Sequence, residues 1–168
     1  NGNVLKKVDG EAYNKVYDST VAVEDLINSA YGVEYSYNLA NQLETIKNPE
    51  FTGATGRNYN QKYAYDGLGR KVNEVTAHGV NKTLNIKDQA APKQVSSLYY
   101  SNTRYLYDDV NRKLDVWVKD NVDNPTSKEY TLMTEYYDYA GSNKNSVDAN
   151  GKLTSYEYNS FGAQRNVM

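Results

Sequence analysis

The chain has 168 residues with 19 basic and 21 acidic side chains, a formal net charge of −2, which argues against the basic surface that nucleic-acid binding requires. It contains no Cys and a single His, so disulfides, zinc–thiolate centres and thiol catalysis are excluded. Tyr dominates the aromatic residues, with 18 Tyr against 2 Phe and 1 Trp. Because Tyr favours half-buried pleated surface, the composition predicts an all-β chain.

The length fits one domain or a piece of a longer repeat array. The sequence begins at Asn1 without Met, and it shows neither a signal-peptide pattern nor an apolar run of membrane-spanning length. We therefore expect residues 1–168 to form a single array of repeats that is a fragment of a longer protein. We also expect that it does not insert into a membrane.

The start of the chain carries a turn signal and an ambiguous segment. Asn1-Gly2 and the later Asn150-Gly151 are hairpin-turn dipeptides, and both predict turns between strands. Within residues 19–32 the apolar residues fall at helical spacing, although their types also suit a strand. One short helix near residues 20–30 is the alternative to a strand. The strand is favoured because a Tyr-x-Tyr pair follows at once.

The rest of the chain is organised around the segment Tyr63-Ala64-Tyr65-Asp66-Gly67-Leu68-Gly69-Arg70. Two Tyr separated by one residue place both rings on the same face of a strand. Degenerate copies of this segment return at four other positions, which predicts a repeat array. The copies begin at Tyr35, Tyr105, Glu135 and Tyr156.

The residues after the tyrosines predict a turn in every copy. Asp or Asn comes next, and both are favoured at the start of a type I turn because their side chains bond the backbone two residues on. Gly or Asn stands three residues later and tolerates the left-handed conformation that closes a hairpin. The motif positions are Tyr35, Tyr37, Asn38 and Asn41; Tyr63, Tyr65, Asp66, Gly69 and Arg70; Tyr105, Tyr107, Asp108, Asn111 and Arg112; Tyr137, Asp138 and Gly141; and Tyr156, Tyr158, Asn159 and Gly162.

An apolar residue precedes the Gly or Asn in each copy, and we expect it to fold back onto a core. The second Tyr falls at positions 37, 65, 107, 137 and 158, so the intervals are 28, 42, 30 and 21 residues. The shortest interval is interpreted as the basic unit and the interval of 42 as two units, one without its signature. A divergent hairpin is therefore predicted between Thr83 and Arg104. The five apolar residues are Ala40, Leu68, Val110, Ala140 and Phe161.

Residues 114–119 alternate between apolar and polar or amphipathic side chains, which predicts a strand. Trp117 falls on the face opposite Leu114 and is the aromatic residue that we nominate for contact with a glycan. Residues 48–56 and 121–127 each contain Asn-Pro and are predicted to be lengthened loops.

The residues that could supply catalytic or metal-binding chemistry also suit structural roles. His78 stands beside Gly79, and a solvated turn His is favoured over a catalytic one. Asp120 and Asp123 have oxygens that calcium could use, but their spacing matches no EF-hand loop and a polar hairpin loop is favoured. We predict no catalytic residue, cofactor or metal. Four acidic residues could form a glycosidase dyad, but cross-strand pairs with Lys and Arg are favoured: Glu129, Glu135, Asp138 and Glu157.

The pattern Tyr-x-Tyr-Asp-x-x-Gly-Arg resembles the YD repeat, also called the Rhs repeat. This repeat occurs in bacterial Rhs proteins, Gram-positive wall-associated proteins, C components of insecticidal toxin complexes and animal teneurins. Residues 63–70 match the pattern fully, and residues 105–112 match it apart from Asn111 in place of Gly. The other three copies are degenerate, with Asn for Asp or with the first Tyr or the Arg replaced.

The resemblance implies consecutive antiparallel β-hairpins stacked into an open sheet or spiral, in which each repeat buries its Tyr face against the next. It also implies a structural module of a large bacterial secreted or cell-surface protein, part of a shell or stalk that carries or encloses a toxin or effector domain. The expected partners are neighbouring repeats of the same polypeptide, and exposed terminal strands are expected to self-associate edge to edge. The alternative function is a carbohydrate-binding or adhesive module. Arg70 and Arg112 are expected to bond hairpin carbonyls or to pair with Asp66 and Asp108, and not to bind anions.

Overall fold

The structure is a computed structural model that describes residues 2–8, 32–48, 59–78, 81–84, 93–96 and 99–168, with Gly10 and Arg57. The ambiguous segment near residues 20–30 and nearly all of the predicted loop at 48–56 lie outside the described residues. The strands are β1 (Lys6–Lys7), β2 (Val33–Tyr37), β3 (Leu43–Lys47), β4 (Gln61–Tyr65), β5 (Lys71–His78), β6 (Asn81–Leu84), β7 (Lys93–Ser96), β8 (Tyr99–Asp108), β9 (Lys113–Lys119), β10 (Glu129–Tyr137), β11 (Asn143–Asp148), β12 (Leu153–Tyr158) and β13 (Gln164–Val167).

Eleven of these strands form one open antiparallel sheet in the order β1-β2-β3-β4-β5-β8-β9-β10-β11-β12-β13. Neighbours in the chain are neighbours in the sheet, except that β5 pairs directly with β8. The predicted all-β class and the open array of hairpins are confirmed. We number the hairpins that contain the five signatures as unit 1 (β2–β3), unit 2 (β4–β5), unit 3 (β8–β9), unit 4 (β10–β11) and unit 5 (β12–β13).

Strands β6 and β7 form a separate two-stranded ladder that runs from the pair Asn81 and Ser96 to the pair Leu84 and Lys93. The predicted divergent hairpin is therefore present, although it begins at Asn81. The interpretation of the 42-residue interval as two units of the array is wrong. The main sheet gains only β5 and β8 over this interval, and the hairpin is inserted between them.

The turn of unit 2 shows why Asp recurs in the signature. Asp66 Oδ1 accepts hydrogen bonds from the backbone N–H groups of Leu68 and Arg70, both at 2.9 Å. The backbone N–H of Asp66 donates to the Arg70 carbonyl at 2.9 Å, and that of Gly69 donates to the Asp66 carbonyl at 3.0 Å. One side chain thus satisfies two turn donors that no strand could reach. The same four bonds form in the turns that begin at Asn38, Asp138, Asp148 and Asn159.

These turns close through a left-handed residue and a bulge. Gly69 has φ of 83°, and the β4–β5 register shifts between Ala64 and Tyr65. A type I turn followed by a left-handed residue produces this extra residue on the return strand. The left-handed conformation predicted for the signature Gly or Asn is confirmed at Asn41, Gly69, Gly141 and Gly162.

The turn of unit 3 is one residue longer, and the prediction for Asn111 is wrong. Asp108 pairs with Lys113 without a register shift, and the positive φ of 50° belongs to Arg112. Asn111 instead donates from its side-chain Nδ2 to Asp108 Oδ2 at 2.7 Å. Because the extra residue moves the left-handed position by one, Leu114 takes the place opposite Tyr107.

The prediction that the apolar turn residues fold back onto a core is wrong. Leu68, Val110 and Phe161 are 76%, 88% and 93% exposed, and Ala40 and Ala140 are also exposed. The physical reason is the turn itself, which projects its third residue beyond the last ladder hydrogen bond. None of the described strands covers it, which agrees with its exposure.

The core that the described residues form is small. In the described residues the buried hydrophobic side chains are Tyr100 at 0%, Val116 at 4% and Leu114 at 8% exposure. Leu114 and Val116 lie on β9, which confirms the predicted strand, and they share one face with the signature tyrosines. We call it the tyrosine face; its half-buried signature rings are Tyr35, Tyr37, Tyr63, Tyr65, Tyr105, Tyr107, Tyr137, Tyr156 and Tyr158.

Tyr100 is buried separately, at the end of β8 that is distant from the signature turns. Its hydroxyl donates to the Tyr59 carbonyl at 3.0 Å, and the Tyr59 ring meets it edge-on at 5.9 Å between centroids. The Arg57 guanidinium lies 4.7 Å from the Tyr100 ring centroid and is paired with Asp123 at 2.8 Å. Residues of the connection between β3 and β4 thus cover this ring, and Asp123 of the connection between β9 and β10 binds the arginine.

The turn geometry predicts a difference between two glycines. Gly141 has φ of 83° and Gly67 has no positive φ, and an added Cβ would meet no atom within 4 Å at either site. Gly141→Ala should therefore lower the free energy of unfolding by about 1–2 kcal/mol through backbone strain alone. Gly67→Ala should be neutral or slightly stabilising. Urea unfolding measures both, and equal effects would contradict the assigned turn conformation.

Candidate functional site: the turn edge

The five signature turns share one edge of the sheet, because antiparallel strands alternate in direction and the turns connect every second pair. We call it the turn edge. Successive turns stand two strands apart, a distance of about 10 Å. The turn edge comprises residues 38–42, 66–70, 108–113, 138–142 and 159–163.

In units 2 and 3 the second Tyr of the signature contacts the strand that precedes its unit. The hydroxyls of Tyr65 and Tyr107 donate to the backbone carbonyls of Leu43 and Lys71. Each of these two acceptors is the first residue of the preceding return strand. Tyr137 differs, because its hydroxyl donates to the Glu135 carboxylate, and burial together with this bond raises the pKa of Tyr137. The three hydroxyl bonds to backbone run from Tyr37 to Val4 at 3.1 Å, from Tyr65 to Leu43 at 2.8 Å and from Tyr107 to Lys71 at 3.2 Å.

Arg70 links the turn of unit 2 to the turn of unit 3. Its Nε donates to Asp66 at 2.8 Å, while Nη1 and Nη2 donate to the two carboxylate oxygens of Asp109 at 2.5 and 3.2 Å. The guanidinium carbon lies 4.2 Å from the Tyr107 ring centroid. Hydrogen bonds to Asp109 and Asp66 raise the pKa of Arg70, and the bond from Arg70 lowers the pKa of Asp66.

Two other residues of the turn edge make the same kind of link. Gln42 Nε2 donates to the Gly69 carbonyl at 3.1 Å, which joins units 1 and 2. Arg112 joins units 3 and 4: its Nε donates to the Tyr137 carbonyl at 3.3 Å, and its guanidinium carbon lies 3.8 Å from the Tyr139 ring centroid. Each link therefore runs from one unit to the following one.

The structural roles predicted for the two arginines are confirmed. Arg70 pairs with Asp66, and Arg112 takes the other predicted option and bonds a hairpin carbonyl. The contacts to Asp109 and to the Tyr139 ring were not predicted. The sequence indicates these two contact residues only by their position, since Asp109 and Tyr139 each directly follow the signature Asp.

A cleft of about 510 Å³ opens at the turn edge between units 3 and 4. Three tyrosines line it, together with three basic and three acidic residues, so the formal charge of the lining is zero. Tyr139 is 91% exposed at its mouth. The tyrosines are Tyr107, Tyr137 and Tyr139, and the charged residues are Arg70, Arg112, Lys113, Asp108, Asp109 and Asp138.

Trp117 lies on the face opposite the tyrosine face, as predicted. Its strand neighbours are Arg104 and Thr131. Arg104 reaches across β9 to bind Glu129 through two hydrogen bonds of 2.6 Å, which confirms one predicted cross-strand pair and lowers the pKa of Glu129. The indole Nε1 is buried and has no hydrogen-bond partner among the described residues. A glycan contact at Trp117 stays a prediction.

The isolated His and the loop carboxylates are engaged by neighbours. His78 is the last residue of β5 and not part of a turn; its Nε2 lies 2.7 Å from Ser101 Oγ, and its ring stacks on Tyr99 at 5.2 Å. Asp120 accepts the Tyr130 hydroxyl at 2.9 Å. Within the described ranges, no three His, Asp or Glu side chains cluster in a way that could hold a metal ion.

Two acidic residues expected to pair with Lys or Arg have other partners. Glu135 accepts hydrogen bonds from the Tyr137 hydroxyl and from Asn143 Nδ2 at 3.0 Å. Asp138 Oδ1 accepts the N–H groups of its own turn, as Asp66 does.

In the part of the chain that the structure describes, no helix has the length and apolarity to cross a membrane.

Comparison with known proteins gives no family assignment. No protein-family model matches the chain, and no curated protein matches it in sequence. The resemblance to the YD repeat therefore rests on the five signatures alone.

Proposed function

We propose that this chain is a structural module of the YD or Rhs repeat type, part of a shell or stalk in a large bacterial secreted or cell-surface protein that carries or encloses a toxin or effector domain. The observation that supports it is the recurrence of contacts between units. Signature hydroxyls bond backwards to the preceding strand, and residues next to the turns bond forwards to the next turn. The conspicuous side chains of the signature are thus used to hold units together.

An open antiparallel sheet also suits a wall. One face carries half-buried tyrosines, which a hairpin cannot bury alone and which stacking covers in part. The other face carries polar ladders such as Arg104 with Glu129 and the hydroxyl pair Ser36 and Thr45 at 2.6 Å. An open sheet of this kind can be lengthened at either end by adding hairpins.

The array property can be tested by truncation after Asp148, which removes unit 5. If stability is the sum of unit and interface contributions, residues 1–148 should retain a β-sheet circular dichroism spectrum and unfold at a modestly lower urea concentration. Complete loss of structure would contradict the proposal. Specific binding to a glycan array that disappears in Trp117→Ala would instead support the carbohydrate-binding alternative.

A further inference from the structure

We propose that Arg112 forms a binding site for a carboxylate group of a small external molecule in the cleft between units 3 and 4. This inference goes beyond the structural role and does not depend on it. The chain contains its own template for the site. In unit 2, the Arg70 guanidinium stacks on Tyr107 at 4.2 Å and binds the Asp109 carboxylate through both Nη atoms.

Arg112 repeats the first half of this arrangement. Its guanidinium stacks on Tyr139 at 3.8 Å, and its Nε is fixed by the Tyr137 carbonyl at 3.3 Å. The residue directly after the turn Asp is Asp109 in unit 3 but Tyr139 in unit 4, so the second unit supplies a ring where the first supplies a carboxylate. No carboxylate of the described residues pairs with Arg112.

A stacked guanidinium is well prepared for a planar oxyanion. Stacking and the Nε bond fix the plane of the group, and its two Nη donors remain in that plane, in the fork geometry that matches a carboxylate. An ammonium group at the same place would attract an anion without this geometry.

The turn of unit 3 places the side chain of Arg112 beside the cleft. Arg112 has φ of 50°, the left-handed conformation that closes this longer turn, and the register of β8 and β9 sets it. The arginine is therefore one of the residues that line the cleft.

The cleft sets the class of ligand. Its neutral lining gives no long-range attraction, so binding depends on the two Nη donors of Arg112. The nearby carboxylates have other partners, since Asp109 is bound to Arg70 and Asp138 accepts N–H groups of its own turn. The rings of Tyr107, Tyr137 and Tyr139 favour a carboxylate attached to a compact ring. We expect weak binding at this open cleft, with a dissociation constant of roughly 1 mM.

The test is a titration of the full chain, followed by NMR, with glucuronate as a sugar acid and hippurate as an aromatic acyl amino acid. Binding of either acid supports the site and identifies the source of the carboxylate, and glucose and hippurate methyl ester serve as neutral controls. Arg112→Gln should abolish binding and Arg112→Lys should weaken it about tenfold, because the fork is lost. Arg165→Gln removes an exposed arginine on β13 and should leave binding unchanged.

A second variant keeps the test decisive if Arg112→Gln fails to fold. Tyr139 is 91% exposed, so Tyr139→Asp should fold and place an internal carboxylate where Asp109 stands in unit 3. This variant should lose acid binding. Failure of both acids to bind the native chain, or equal binding by native, Arg112→Gln and Tyr139→Asp chains, would overturn the proposal. Neither result bears on the truncation test of the repeat array.

Discussion

Tyr100→Ala should lower the free energy of unfolding by about 3–5 kcal/mol, the range for deleting a fully buried aromatic side chain. Tyr100 is the one large side chain in the described residues that is completely buried. Its removal leaves a cavity and deprives the Tyr59 carbonyl of its donor. It also removes the ring on which Arg57 lies. Urea denaturation followed by circular dichroism measures the effect.

Two matched variants separate the parts of this effect. Tyr100→Phe removes only the hydroxyl bond to Tyr59 and should cost about 1 kcal/mol. Tyr99→Ala removes the adjacent ring, which is 41% exposed and points to the other face of the sheet, and should cost less than about 1.5 kcal/mol. If Tyr99→Ala and Tyr100→Ala shift the urea midpoint equally, the burial assigned to Tyr100 is wrong.

The turns were predictable because their physics is contained in five consecutive residues. In unit 2, Asp66 supplies the oxygen and Gly69 the left-handed backbone, and both residue types are visible in the sequence. The same reasoning could have found the turn that begins at Asp148, since Asp148-Ala149-Asn150-Gly151 has the Asp-x-x-Gly pattern. That turn was assigned only from Asn150-Gly151, because no Tyr-x-Tyr pair precedes it.

The longer turn of unit 3 shows where local reasoning fails. Asn111 and Arg112 are adjacent, and either of them could be the left-handed residue that closes the turn. The two choices differ by one residue in the pairing of β8 with β9. The outcome depends on pairing between β8 and β9, in which Leu114 lies opposite Tyr107 and is buried. Burial of an apolar residue on the tyrosine face favours this register.

Hydrophobicity alone led to the wrong prediction that the apolar residues of the turns are buried. Leu68 and Phe161 are apolar, yet their positions in the turn direct them away from the strands. Contacts between distant segments were equally inaccessible from the sequence. The cover of Tyr100 by Arg57 and Tyr59 spans more than forty positions, and nothing in the composition of either segment indicates it.

The contact between units is tested by Tyr65→Ala, which should lower the free energy of unfolding by about 2–4 kcal/mol. Tyr65 is half-buried, so the expected cost is below that of a fully buried ring, but its hydroxyl bond of 2.8 Å to the Leu43 carbonyl is lost as well. This change weakens the junction of units 1 and 2. The readout is the urea midpoint at unchanged slope.

Tyr139→Ala is the matched control, because it also removes a tyrosine ring at the turn edge. Tyr139 is 91% exposed and contacts the Arg112 guanidinium, so its loss should cost about 0.5–1 kcal/mol, the value of an exposed cation–π contact. Tyr65→Phe should fall between the two, since it keeps the ring and loses the hydroxyl bond. Equal midpoints for Tyr65→Ala and Tyr139→Ala would show that the signature tyrosines do not hold the units together.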